Sequence, residues 1–279
     1  MTLRPTSKLS ELRERTGGWK ADGQRVGLVP TMGNLHAGHL ALVDQLASSC
    51  DRVVVSIFVN PTQFGPGEDF ESYPRTLEDD LKALHARGVA LVWAPRVSTM
   101  YPLDDAFLIQ VPDALANTLC GRDRPGHFNG VASVVLRLLL QVMPDAVIFG
   151  EKDFQQLLIL RQLVTDYALS IEVEAMETVR EVDGLAMSSR NQYLTEAERR
   201  KASELYSLMQ ETVKQLNNGV EWSPLQTAAL SKLKSAGFRP QYFELRSAET
   251  LAEPMTSEPR RLFAAAHLGK ARLIDNLLV

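Results

Sequence analysis

A short apolar run over residues 26–29 passes through Pro30-Thr31-Met32-Gly33-Asn34-Leu35-His36-Ala37-Gly38-His39 into the spacing Leu40, Val43, Leu46, Ala47. That order reads as a strand, a tight glycine-containing turn and a helix start. A second near-continuous β-branched run follows at 52–59, as expected of a parallel strand covered on both faces. A strand–helix–strand unit of this length implies a right-handed crossover, so the chain begins as an α/β fold of nucleotide-binding type. The alternation continues with a helix at 77–84 that Thr76 would cap, with Asp79 at its third position, and a strand at 89–93. A buried helix at 131–142, a core strand at 146–149, a helix at 154–169 and a strand at 171–176 complete it. Before the first strand, 9–15 reads as a short helix stopped by Gly17-Gly18. The alternation ends near Val179. Beyond it, a helix begins at Thr195 with Glu198 completing a capping box and ends at Asn218-Gly219, and another runs from Ser223-Pro224 to Gly237. Three alternating runs at 242–245, 262–266 and 271–274 suggest a small antiparallel sheet. The expected organisation is a parallel-sheet domain over 1–178 and a smaller C-terminal α+β domain over 179–279.

The first turn has the chemistry of an anion site. A helix N-terminus offers backbone N–H groups and the positive end of a dipole. Gly33 and Gly38 leave the main chain approachable. His36 and His39, three apart, point to one side of a first helical turn and can donate hydrogen bonds without permanent charge. One histidine there would read as a surface residue near a cap; the pair, set between glycines after a strand, reads as a site. GxxxxGK[ST] and GxGxxG are both absent.

Four further places carry polar groups next to strand ends or in glycine-rich segments. Asn60 and Gln63 follow the second strand, where ligands of open α/β sheets sit; the surrounding Asn-Pro and Gly-Pro-Gly are also plain turn formers. Gly150-Glu151-Lys152-Asp153 repeats the strand, turn and helix-start logic: Lys152 can reach a triphosphate there or be a surface lysine beside a capping Asp153. Met187-Ser188-Ser189-Arg190 suits a mobile phosphate clamp and equally a linker. A loop at 119–130 with Arg122, Arg124 and His127 is compatible with an anion clamp and with a solvated connection.

Composition narrows the classes. At 279 residues, 45% hydrophobic and 23% charged, the chain is an ordinary globular protein. A net charge of −4 gives no general attraction to nucleic acid or anionic membrane. The two cysteines, Cys50 and Cys120, fit no CxxC pattern, so neither a zinc site nor a disulfide framework is expected, and a cytoplasmic location is. Residues 1–10 carry no secretory apolar region, and the apolar run at 131–142 is too short to span a bilayer.

The His36/His39 turn resembles the HxGH signature of the nucleotidylyltransferase superfamily. A closer resemblance, over the whole length, is to the pantothenate synthetase (pantoate–β-alanine ligase) family. It is carried by Pro30-Thr31-Met32-Gly33 with His36 and His39, Phe58-Val59-Asn60-Pro61-Thr62-Gln63-Phe64, Tyr73-Pro74-Arg75-Thr76 and Arg124-Pro125-Gly126-His127-Phe128. Further blocks are Gly150-Glu151-Lys152-Asp153-Phe154-Gln155-Gln156, Met187-Ser188-Ser189-Arg190-Asn191 and the terminal Arg272-Leu273-Ile274-Asp275-Asn276.

The resemblance implies a Rossmann-like ATP/pantoate-binding domain with a smaller C-terminal lid domain. It implies ATP-dependent condensation of (R)-pantoate with β-alanine through pantoyl adenylate, releasing pyrophosphate and AMP. ATP contacts carried over by it are Met32, Gly33, Asn34, Leu35, His36, Ala37, Gly38 and His39, then Gly150, Glu151, Lys152 and Asp153. Met187, Ser188, Ser189 and Arg190 complete that set, with the Val179 backbone on the adenine. Gln63 and Gln156 should hold pantoate, and Gln63 also β-alanine. Catalytic roles fall to His39 (the assigned proton donor), His36, Lys152 and Arg190. Mg²⁺ should arrive on the triphosphate with no dedicated protein metal site, and a homodimer through the larger domain is implied. Two competing readings remain: a nucleotidylyltransferase that releases an adenylylated product, and a non-catalytic nucleotide-binding module, which leaves the glutamines unexplained.

Overall fold

The central strand is the apolar segment that opens the α/β pattern. In the computed structural model, which describes residues 3–68, 70–103, 105–255 and 258–279, strand β2 (Val26–Thr31) lies between β3 (Arg52–Ile57) and β5 (Ala146–Gly150). With β1 (Pro5–Thr6), β4 (Leu91–Trp93) and β6 (Glu172–Met176) they form a six-stranded sheet in the order β1-β4-β3-β2-β5-β6, with every pairing parallel. From β2 the chain moves outward on one side through β3 and β4, and later returns to β5 on the other. The strand order therefore reverses between β2 and β5. In open parallel sheets a crevice forms outside the strand C-termini at such a point.

Apolar side chains alternate across this sheet. Val29, Val53, Val55, Val92 and Ile148 on one face pack with Leu42, Val43 and Leu46 of the helix Ala37–Ser49. The helices Leu9–Ala21 and His127–Val142 contact each other and β2. Trp93 is fully buried and its indole N–H donates to Gln141 Oε1 at 3.1 Å, so the large ring keeps its polar handle satisfied.

Contacts divide the chain into two compact units. One comprises Met1–Val111, Pro125–Glu151 and Gln156–Glu177; the other comprises Pro112–Arg124, Lys152–Gln155 and Thr178–Val279. The second unit is built on an antiparallel sheet, β7 (Arg239–Ser247), β8 (Arg260–Leu268) and β9 (Ala271–Leu278), in that order. The helices Glu204–Asn217 and Trp222–Ser235 bury Leu205, Met209, Ala229 and Leu233 in a core with Phe243, Leu262, Ala264 and Leu273.

Several local expectations need correction. The first helix does not stop at Gly17-Gly18 but runs Leu9–Ala21. Its last turn is held by tertiary contacts: Arg52 lies 5.8 Å from the Trp19 ring and Lys20 pairs with Asp145 at 3.0 Å, beside an i,i+4 contact of Arg15 with the same ring at 5.4 Å. The loop expected at 119–130 is largely helical, with a turn at Leu119–Asp123 and a long helix starting at His127 after Gly126 in the left-handed region. The C-terminal helix from Thr195 forms the expected capping box but breaks at Ser203 into Glu196–Ala202 and Glu204–Asn217. Thr76 precedes the helix Leu77–His85 without a side-chain capping bond; its hydroxyl donates to Asp80 Oδ1 at 3.3 Å instead. The strand at 89–93 is shorter, Leu91–Trp93.

Gly17 and Gly18 are exposed, lie inside a helix, and have open space where a Cβ would stand. Gly17→Ala and Gly18→Ala should each stabilise the protein by about 0.5–1 kcal/mol, because alanine loses less backbone freedom on folding. Urea denaturation midpoints check this; a lowered midpoint would show that these positions carry a constraint beyond the helix.

Candidate active site

At the C-terminal end of β2 the chain must leave the sheet and enter the helix that begins at Ala37. Thr31 starts this turn: its hydroxyl donates to the Ser56 carbonyl at 2.6 Å and accepts the Gly33 N–H at 3.2 Å. Gly33 (φ 80°) and Asn34 (φ 52°) both occupy the left-handed region, which glycine and asparagine tolerate best. The carboxylate of Asp80, 3% exposed, then accepts the main-chain N–H groups of Asn34 at 3.0 Å and Leu35 at 2.8 Å.

His36 is not inside the first helical turn, as its spacing suggested, but is the residue that caps it, with extended backbone. Its Nδ1 accepts the Gly38 N–H at 3.1 Å, and in a reciprocal capping box His39 Nδ1 accepts the His36 N–H at 3.4 Å. The two rings are 4.1 Å apart and tilted by 36°. With Nδ1 accepting, the neutral tautomer that matches these bonds carries its proton on Nε2. The main-chain N–H groups of Gly33, Asn34, Leu35, His36 and Gly38 are thus already bonded within the chain. The donors the turn offers to a ligand are accordingly the two Nε2–H groups more than those amides.

The end of β3 is organised around Asn60, which is fully buried. Its Oδ1 accepts from Tyr101 Oη at 2.8 Å and from the Thr62 hydroxyl at 3.0 Å, and its Nδ2 donates to Gln63 Oε1 and to the Gly130 carbonyl, both at 3.2 Å. Burial pushes the Tyr101 phenol above its usual pKa, which keeps it a donor. The Gln63 carboxamide is therefore oriented, with Oε1 toward Asn60 and Nε2 donating to Met32 Sδ at 3.1 Å. The Gln63 main-chain carbonyl lies 2.7 Å from His127 Nδ1, which must carry the proton there. His127, which the sequence left between anion clamp and solvated connection, serves the position of Gln63. Gln63, Met32 and the turn before His36 are brought together in this unit.

In the second unit, Lys152 lies in the 3₁₀ turn Glu151–Asp153 that follows β5. Its carbonyl accepts from Asn276 Nδ2 at 3.0 Å; Asp275 in turn receives both guanidinium nitrogens of Arg180, at 2.6 Å and 2.9 Å. Arg180 stacks 3.8 Å from the Tyr206 ring. This network gives the C-terminal Asp275-Asn276 a structural task. The Val179 carbonyl accepts the Met187 N–H at 2.9 Å, and Arg180 bridges Ala186, so the segment returns on itself and presents Ser188. Ser188 caps the 3₁₀ turn Ser189–Tyr193 by accepting the Arg190 N–H at 3.3 Å. Lys152, Ser188, Asn191, Tyr206 and Asp275 line one cavity in this unit. Of the adjacent glutamines, Gln155 is buried and bonded to Leu115, Thr118 and Cys120, whereas Gln156 is half-buried. Arg122 pairs with Glu244 at 2.9 Å.

Sequence reasoning missed Asp80, Tyr101 and Gly130 as parts of the site. Asp80 looked like one more acid in the first turn of a helix, and nothing in spacing marks the carboxylate that turns inward.

Comparison with known proteins adds independent findings. The family model described as pantoate–β-alanine ligase matches residues 4–278. A pantothenate synthetase of Halorhodospira halophila is 51% identical over 99% of this chain and 98% of that protein. One from Shewanella amazonensis is 48% identical over 98% of each. A crystal structure of the Thermus thermophilus enzyme superposes with a TM-score of 0.91, 44% identity and 99% coverage of both chains. Another, a Francisella tularensis pantoate–β-alanine ligase complexed with β-γ ATP and β-alanine, gives 0.84 and 33%, covering 99% of this chain and 97% of that one.

A Cβ on Gly130 would stand 2.2 Å from the Thr62 carbonyl and 2.8 Å from the Gln63 Cα. Gly130→Ala should therefore displace the turn that carries Gln63 and cost about 1–3 kcal/mol of stability, as overpacking does. Thermal melting checks the cost, and an unchanged melt would mean that the helix and turn separate freely.

Proposed function

The chain belongs to the pantoate–β-alanine ligase family, and from that premise we propose how its own residues condense pantoate with β-alanine at the expense of ATP. The observation that carries the reading is the pair of imidazoles at the strand-order reversal, each accepting a main-chain N–H on Nδ1. In the first step a pantoate carboxylate oxygen attacks the α-phosphorus, the α–β bridging P–O bond breaks, and its electron pair leaves with pyrophosphate. No general base is needed, because a carboxyl group of pKa about 4 is ionised at neutral pH. What the step needs is alignment and stabilisation of charge on the transferring phosphoryl group. His36 and His39 supply neutral donors for it. By the family resemblance His39 is the proton donor of the pair.

Lys152 and Arg190 supply the cationic donors for the nucleotide, with Ser188 and Ser189 as hydroxyl donors and the Val179 backbone on the adenine. Gly150, Glu151, Asp153 and Met187 complete the ATP contacts, beside Met32 to His39. Gln63 and Gln156 bind pantoate; the amide of Gln63 is already oriented by Asn60. In the second step the β-alanine amine, held by Gln63, attacks the acyl carbon, the C–O bond to phosphate breaks, and AMP leaves as the amine loses a proton. Mg²⁺ would arrive on the triphosphate, held largely by phosphate and water as is usual for this ion, and would supply charge neutralisation there. Residues 179–279 serve as the lid domain.

The protein acts as a homodimer through its larger domain, in the cytoplasm, where the free thiols of Cys50 and Cys120 stay reduced. Among the described residues, no helix is long and apolar enough to cross a membrane. Support for self-association is an apolar surface on the first unit: Phe107 is 95% exposed and Leu103 72%, with Leu140 also exposed. Arg137 donates to the Phe107 carbonyl at 2.9 Å, and Leu140 follows one turn later on the same helix, which sets Phe107 and Leu140 on one side of it.

Purified protein with ATP and pantoate should release pyrophosphate and retain the adenylate, and should form AMP and pantothenate only when β-alanine is added. A stable adenylylated product that ignores β-alanine would favour the nucleotidylyltransferase reading. His39→Ala should lower kcat about 10²-fold with the fold intact, as for a lost transition-state donor; undiminished turnover removes His39 from the mechanism. Phe107→Glu should convert the dimer to a monomer in sedimentation, and a wild-type monomer or an unaltered dimer contradicts the assigned face.

A further inference from the structure

The buried carboxylate of Asp80 has no part in the chemistry proposed above, and it bonds to the turn that does. We infer that Asp80 is a positioning residue that sets the place and tautomer of the two active-site imidazoles through the main chain. Three observations carry this. Asp80 is 3% exposed, and each of its oxygens accepts one amide of the turn, Oδ2 from Asn34 and Oδ1 from Leu35. Those residues immediately precede His36, and Asn34 holds a left-handed conformation (φ 52°) that a non-glycine residue adopts only against a cost. The His36 amide is in turn the donor to His39 Nδ1, so a shift of the Asn34–Leu35 backbone moves the group that fixes the second tautomer. A charged acceptor of two amides makes bonds about twice as strong as neutral ones, and leaving either amide unpaired in a buried place is costly. Asp80 reaches the turn from the helix Leu77–His85, whose start the Thr76 hydroxyl helps fix by donating to Oδ1.

The inference rests on the functional reading of the histidines, so its test has one arm that needs no activity. Asp80→Asn replaces one acceptor with a donor that faces an amide N–H. Long-range ¹⁵N correlation spectra of the imidazoles should show His36 and His39 both as Nε2–H tautomers in the wild type and as tautomer mixtures in D80N. In pyrophosphate release, D80N should lose about 10²-fold in kcat with pantoate KM unchanged, the signature of misplaced transition-state donors. Thr76→Ala, which leaves both amides their acceptors, should keep wild-type kcat and spectra. Identical histidine spectra in D80N and wild type, or an equal loss in both variants, overturns the inference. If D80N does not fold, amide exchange in the wild type decides: the Asn34 and Leu35 protons should be as protected as those of β2, and exchange at the rate of an open loop overturns the assignment. A wild type that releases no pyrophosphate sinks the functional reading instead, and the spectra still settle the role of Asp80.

Discussion

The arrangement depends on a main-chain N–H directed at an imidazole nitrogen. Gly38 donates to His36 Nδ1, and the His36 amide donates to His39 Nδ1. A ring that receives a proton donor on one nitrogen presents a proton on the other. This geometry suits the neutral Nε2–H tautomer of each ring. This suits a reaction whose attacking group is an anion and whose leaving group is a polyanion, because neutral donors can stabilise a developing charge without holding the product pyrophosphate as a permanent cation would.

The parallel sheet explains why that turn can be so well defined. β2 is paired on both sides, by β3 along its whole length and by β5, so its C-terminal end has little freedom. β3 ends beside it at Asn60, whose hydrogen bonds orient Gln63. Two neighbouring strand ends therefore hold the imidazole pair and the Gln63 amide, to which substrate roles are proposed, on rigid supports, with Met32 and Gln63 in direct contact. Within the second unit the same logic recurs in another form. The main chain of Lys152 is tied to Asn276, and Asp275 to Arg180, so the C-terminal strand supports the turn that carries Lys152, a residue proposed to meet ATP.

Much of this was legible in the chain. The apolar runs and glycine turns located β2, β3 and β5, and the pattern shift near Val179 announced a different kind of structure, because strand and helix periods differ in which side chains they bury. The His36/His39 pair stood out because two imidazoles, two glycines and a preceding strand rarely coincide. What stayed hidden depends on contacts far apart in sequence. The first helix passes Gly17-Gly18 because Trp19 and Lys20 find partners at Arg52 and Asp145, which no local propensity encodes. Asp80 follows Glu78 and Asp79 in a run of acids at a helix start, and only the folded chain shows that it turns toward residues 34–35. His36 was expected inside the helix and instead caps it, because a side-chain acceptor at that position satisfies an amide the helix leaves over.

The central claim is that the two imidazoles present their Nε2–H groups to the phosphoryl group under attack. A crystal of the protein grown with pantoate and a non-hydrolysable ATP analogue tests it most directly. The account predicts the α-phosphate oxygens within about 3 Å of Nε2 of His36 or His39, a normal hydrogen-bond distance. A nucleotide lodged away from both rings, or one that meets them through Nδ1, would contradict it.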